Sequence, residues 1–290
     1  MLNKRLIACL VIKNGIVVQS INFKQYLPIG RPEIAVEFLN SWGVDEIVLL
    51  DIDATPNKRS PNLEMVSRIS RYGFVPLAIG GGIKTISDIR ALVQAGADKI
   101  AINQIAIANP TVITEAARVF GCQCIIVSID MKRNQDGEYE VFTNSGRKPT
   151  GFSPWNWAKQ VESLGAGEIF LNSIDRDGCQ EGYDLEVIEK VANVVSVPVI
   201  VCGGVGHPQH FVEAARIENV SAVAAANFFH FSEHSIITTK AYLENTNINV
   251  RLDSYANYRD CLFDDNGRLA KKTDDYLENL RFEFYPKEVI

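Results

Sequence analysis

The chain contains no apolar run near the ~18 residues that a membrane-spanning helix needs, so no transmembrane segment is expected. It also lacks a basic stripe. Its 29 Lys and Arg stand against 35 Asp and Glu, for a net charge of −6, and nucleic-acid binding has no electrostatic support. Cys122 and Cys124 lie two apart, but no second pair stands at zinc-finger spacing, so no metal is expected. No cofactor is expected either. The segment Met1 to Leu10 has no small-residue cleavage site and reads as a strand, not a signal peptide. The six cysteines (Cys9, Cys122, Cys124, Cys179, Cys202, Cys261) are scattered, four of them in or beside apolar runs. That pattern fits reduced thiols in the cytoplasm better than a disulfide framework.

What is present is a rhythm. Eight short apolar runs alternate with amphipathic stretches: Leu6–Ile12, Glu46–Ile52, Val75–Ile79, Lys99–Asn103, Cys124–Asp130, Glu168–Asn172, Pro198–Cys202 and Ala222–Ala226. Most are apolar throughout, as parallel strands covered on both faces should be. Helical patterns fall between them at Pro32–Trp42, Ser87–Gln94, Pro110–Phe120, Pro154–Leu164, Leu185–Val194 and Pro208–Arg216. Eight such units in about 250 residues predict an α/β fold, a (β/α)8 TIM barrel. The polar run Arg133–Glu140 around Gly137, followed by Tyr139–Thr143, predicts a hairpin inserted after the fifth strand. Residues 1–252 make the expected barrel. Residues 253–290 leave the pattern as a C-terminal extension with one amphipathic stretch, Lys272–Phe282; it reads equally as a partner-contact element or as a helix packed on the barrel.

The sequence repeats itself. Gly43-Val44-Asp45-Glu46-Ile47 resembles Gly165-Ala166-Gly167-Glu168-Ile169, Asp51-Ile52-Asp53 resembles Ser173-Ile174-Asp175, and Gly81-Gly82 resembles Gly203-Gly204, each pair 122 residues apart. One offset held across three motifs predicts two repeated half-barrels. In such barrels the reactive groups sit at the C-terminal strand ends. Those ends carry Asp51, Gly81, Gly82, Asn103, Asp130, Asp177, Gly178, Gly203, Gly204 and Asn227. Glycine pairs after the third and seventh strands suit two phosphate sites, because backbone N–H groups there are free to face an anion; tight turning alone would also call for glycine. Asp130, closing an apolar strand, is the candidate general acid or base.

These residues carry a resemblance. Lys4-Arg5-Leu6-Ile7-Ala8-Cys9-Leu10, Leu50-Asp51-Ile52, Gly80-Gly81-Gly82-Ile83, Gly96-Ala97-Asp98-Lys99, Ser173-Ile174-Asp175-Arg176-Asp177-Gly178 and Phe229-His230-Phe231 resemble the cyclase subunit of imidazole glycerol phosphate synthase from about Met1 to Leu252. The resemblance implies a barrel that docks a glutaminase as a heterodimer and conducts its ammonia to a bisphosphorylated substrate. It also implies paired catalytic aspartates. The second matches Asp130, but the first falls on Val11. The phosphate-site lysine falls on Gln19, the threonine beside Asn103 on Gln104, and serines on Cys202 and Asn227. By contrast the family's ammonia gate matches Arg5, Glu46, Lys99 and Glu168, and two docking positions match Asp45 and Asp98.

A kept gate with an altered mouth predicts a barrel that passes ammonia on without the cyclase reaction. Cys9-Leu10-Val11-Ile12-Lys13-Asn14 resembles the accessory barrels of bacterial surface-polysaccharide gene sets, where a sugar amidotransferase would receive the ammonia. The alternatives are a working cyclase in histidine biosynthesis, and a barrel that only activates its glutaminase allosterically.

Overall fold

The computed structural model describes residues 3–232 and 234–279. Eight strands close on themselves: β1 (Arg5–Lys13), β2 (Glu46–Asp51), β3 (Leu77–Gly80), β4 (Lys99–Ile102), β5 (Ile125–Arg133), β6 (Glu168–Ser173), β7 (Val199–Cys202) and β8 (Val220–Ala225). Each pairs in parallel with the next, and β8 returns to β1 through Arg5↔Ala222 to Ala8↔Ala225. The fold is a (β/α)8 barrel.

The strands read as continuous apolar runs because each face has its own core. Along β1, Leu6, Ala8, Leu10 and Ile12 pack outward under the helices, while Ile7 and Cys9 point into the lumen. The lumen is filled by Val48, Ala78, Ala101, Ile126, Phe170, Ile200, Ala222 and Ala224. Many of these are small, and Phe170 is the one large ring among the buried lumen residues described.

Helices follow the strands: α1 (Pro32–Ser41), α2 (Leu63–Ile69), α3 (Ile86–Gln94), α4 (Thr111–Phe120), α5 (Pro154–Ser163), α6 (Leu185–Ala192), α7 (Pro208–Ala215) and α8 (Ser235–Asn245). Proline opens α1, α5 and α7, where the first helical N–H has no internal acceptor to lose. Thr85 and Asp88 form a reciprocal capping box on α3. The expected hairpin after β5 is present as Tyr139–Thr143, antiparallel to Asp130–Arg133.

A second hairpin, after β1, was not anticipated. Strands Ile16–Ile21 and Gln25–Gly30 fold back on the end of β1 and on each other. Asn14 and Gly15 make its first turn with φ of 51° and 77°, the geometry that Asn-Gly supplies in two-residue hairpins.

Beyond α8 the chain runs outside the barrel as a strap. Arg251 Nε binds Asp45 beside the start of β2. Tyr255 and Tyr258 hydroxyls bracket the His234 ring, at 2.6 Å from Nε2 and 2.7 Å from Nδ1. Phe263 packs edge-on against Tyr242, and the Asp265 carbonyl meets His207 Nε2 at 3.3 Å, at the mouth end of α7. Within the predicted amphipathic stretch Lys272–Phe282, a short helix covers Asp274–Glu278; residues 280–282 lie outside the described residues.

Candidate active site at the barrel mouth

Asp130 stands on β5 at the wall of a cavity of about 320 Å³. The fold brings three side chains to it. Asn103, just past β4, donates to Oδ2 at 3.3 Å. Asn172 on β6, its register partner, donates to Oδ1 at 3.3 Å, and Ser128 Oγ lies 3.5 Å from the same oxygen. These are long contacts around a half-buried carboxylate. Burial dominates them and lifts the Asp130 carboxyl from its ordinary 3.8 to about 6. A carboxyl so placed exchanges a proton near neutral pH, which is what a general acid or base requires. Val11, at the end of β1, lines the same cavity and holds no proton.

The glycine pairs are built alike. A Cβ on Gly81 would lie 2.2 Å from the Asp51 carbonyl oxygen, and one on Gly203 would lie 2.7 Å from that of Ser173. Both glycines also have positive φ, 110° and 99°. Asp51 and Ser173 are themselves 122 residues apart, so the internal repeat extends to this close approach. Glycine is therefore required by the backbone at both places. Gly81 and Gly82 line the first cavity; Gly203 and Gly204 line a second of about 540 Å³ between the ends of β6, β7 and β8.

Several residues expected to face a ligand line the cavities and also hold protein. Asp51 Oδ1 accepts from the N–H groups of Asp53 and Ala54, and its carboxylate pairs with Arg59. Asn227 grips the unanticipated hairpin at two points, accepting from Ser20 N–H and donating to Ser20 C=O. Asp177 accepts from Ser20 Oγ at 2.6 Å and Phe23 N–H at 3.1 Å. Gly178 lies so close to this hairpin that a Cβ would sit 2.8 Å from the Ser20 carbonyl oxygen. Ser20, Phe23 and Tyr26 thereby join the wall of the first cavity.

At the opposite end Arg5, Glu46, Lys99 and Glu168 form a closed alternating ring. Arg5 reaches Glu46 at 2.6 Å and Glu168 at 2.9 Å; Lys99 reaches the same two at 2.8 and 2.9 Å. Glu46 is 1% exposed, and burial raises its carboxyl despite both cations. Asp45 and Asp98 neighbour the ring differently. Asp45 is tied inward, to Leu6 N–H, Lys240 and Arg251. Asp98 accepts from Leu77 N–H but stays exposed.

Residues 5–235 match the histidine biosynthesis protein family. The chain belongs to that family. It is 47% identical over 268 residues to a putative imidazole glycerol phosphate synthase subunit, hisF2, of Vibrio vulnificus, covering 92% of this chain and 98% of that one. It is also 47% identical to the imidazole glycerol phosphate synthase subunit HisF of Hydrogenobaculum sp., and 42% to that of Streptococcus sanguinis. Each of these alignments runs over 252 residues, spanning 87% of this chain and all of the relative.

Proposed function

We propose that the chain is the ammonia-using barrel of an imidazole glycerol phosphate synthase-type complex. A glutaminase docks at the Arg5/Glu46/Lys99/Glu168 end, ammonia crosses the lumen, and Asp130 exchanges the proton when ammonia joins a bisphosphorylated substrate at the mouth. The lumen supports passage of a small neutral molecule, being lined by alanines and apolar side chains. The glycine pairs support one phosphate site in each half. The observation that carries the reading is Asp130: a half-buried carboxyl lifted to about 6 at the mouth of a chain whose relatives bear this enzyme's name. Residues 1–252 form the working barrel in this proposal, the length over which the HisF relatives align in full.

The sequence alone favoured ammonia delivery to a polysaccharide-modifying sugar amidotransferase, with the cyclase reaction lost. The names of the relatives reverse that order, since those cited describe the synthase and none a polysaccharide role. Val11 and Gln19 keep onward delivery as the second reading. Incubating the purified chain with ammonium and the cyclase substrate separates the two. Turnover abolished by Asp130→Asn supports the cyclase; absence of turnover, with glutaminase stimulation and ammonia release intact, supports onward delivery. Stimulation without ammonia passage would leave an allosteric activator.

A further inference from the structure

The two halves of the barrel differ in where their cations come from. In the first half, Lys58 and Lys84 stand at the rim beside Gly81-Gly82, and Lys84 Nζ donates to the Lys58 carbonyl at 2.7 Å. Moving 122 residues along the chain replaces them by Gln180 and Gly206. The backbone equivalence is close. Lys58 and Gln180 both adopt left-handed φ, 54° and 62°, and Gly206 again lies against its partner, a Cβ there falling 2.4 Å from Gln180 Cβ. The second half has thus kept the loop and lost both charges.

The strap puts one back. The turn Asp264–Arg268, closed by Asp264 N–H to Arg268 C=O and by Asp264 Oδ1 accepting from Asn266 and Arg268 N–H, seats itself at the second cavity. Its seat is tight: Gly267 has φ 68°, and a Cβ there would lie 2.6 Å from Pro208 Cδ. Arg268 lines the cavity together with Gly203, Gly204, Gln180 and Asn227, and is the one Lys or Arg among its described lining residues. Among the described residues its guanidinium forms no ion pair, although its charge reaches the Asp264 carboxylate of the same turn.

We propose that Arg268 is the cation of the second anion site, so that the C-terminal strap completes a phosphate-binding pocket to which the barrel itself brings Asp177 but no Lys or Arg. This rests on the reading that both glycine pairs hold phosphate. A guanidinium suits a phosphate end through two parallel N–H donors, and the Gly203-Gly204 backbone lines the same cavity.

Titrating inorganic phosphate into the full ¹⁵N-labelled chain, and following the amides of Gly81, Gly82, Gly203 and Gly204, tests it. Wild type is expected to show two sites. Arg268→Ala should weaken the Gly203/Gly204 site roughly tenfold and leave the Gly81/Gly82 site unchanged. Arg268→Lys should restore part of the loss, and Lys84→Ala should do the reverse on the first site. Unchanged spectra elsewhere certify that each variant is folded. Two sites in wild type, both indifferent to Arg268→Ala, would overturn the role of Arg268 while sparing the phosphate reading. No phosphate response at either glycine pair in wild type would overturn the phosphate reading and the proposal with it.

Discussion

The two ends of this barrel treat charge in opposite ways. At the ring end, two cations and two carboxylates alternate so that every one of the four touches two of opposite sign. At the mouth, Asp51 and Asp53 are similarly spent on Arg59 and Lys13, but Asp130 has only long amide and hydroxyl contacts and no cation within ion-pair reach among the described residues. A charge that is matched holds structure; a charge left under-matched keeps a proton within easy exchange. The contrast teaches where to look for chemistry in a molecule whose carboxylates are numerous at both ends.

The largest expected effect is at the under-matched group. Asp130→Asn should lower ammonia-dependent turnover by about 10²–10⁴-fold, measured with ammonium salts so that the glutaminase is bypassed. The same substitution should raise stability at neutral pH. Because the folded carboxyl is lifted above its ordinary value, its ionised form opposes folding. Stability from this group is present at low pH and lost as pH rises through about 6, in the window between 3.8 and about 6, by on the order of 3 kcal/mol. Urea melts of wild type and variant from pH 4 to 7 should therefore diverge towards pH 7. Parallel curves would mean that Asp130 is solvated, and the contrast between the ends would collapse.

The ring should answer the other way. Glu46→Gln leaves Arg5 and Lys99 sharing one carboxylate, which should cost on the order of 3 kcal/mol, a Tm fall of roughly 6 °C. Adding Lys99→Met to it should recover part of that loss, and the double-mutant cycle gives the coupling. A simple sum of the two single losses would show that the ring is not one unit.

Two smaller effects sharpen the mouth. Asn227→Ala strips Ser20 of both its backbone partners and should cost about 1–3 kcal/mol. Amide exchange should quicken across Ile16–Gly30 and stay slow in the barrel strands. Arg59→Ala removes a half-exposed partner of Asp51 and should cost under about 1 kcal/mol by thermal melt. A larger loss would place the mouth ion pairs in the same class as the ring.

The barrel was legible in the sequence because its signal is redundant: eight apolar runs, each flanked by a helix start or stop, and an offset shared by three motifs. Strand ends shifted by up to three residues, as with Val75–Ile79 against Leu77–Gly80, where Pro76 has no N–H to donate although its carbonyl accepts from Ile47 N–H. The hairpin Ile16–Gly30 went unread although Asn14-Gly15 announces it, since the eye follows β1 onward as a strand end. That omission hid a second role at the site: Asn227, Asp177 and Gly178 line a cavity and also clamp this hairpin. α8 was missed because its buried face includes Ser235, Thr239 and Lys240, and Lys240 is buried only by courtesy of Asp45 and the Gly43 carbonyl. Asn172, which positions Asp130, carries no local signal; only β5–β6 pairing reveals it. Lys58 and Lys84 could have been found by asking which rim residues the repeat fails to copy.

The strap has a consequence for how the molecule comes apart. Its described residues join the closed sheet at no strand, and it is held by a few side-chain hooks at Asp45, His234, Tyr242 and Pro208. Segments with so few buried contacts open long before the body they rest on. A protease meeting this chain would therefore shear it near the start of the extension first, leaving a closed barrel about as long as the HisF relatives but bereft of Arg268, a natural before-and-after pair written into one polypeptide.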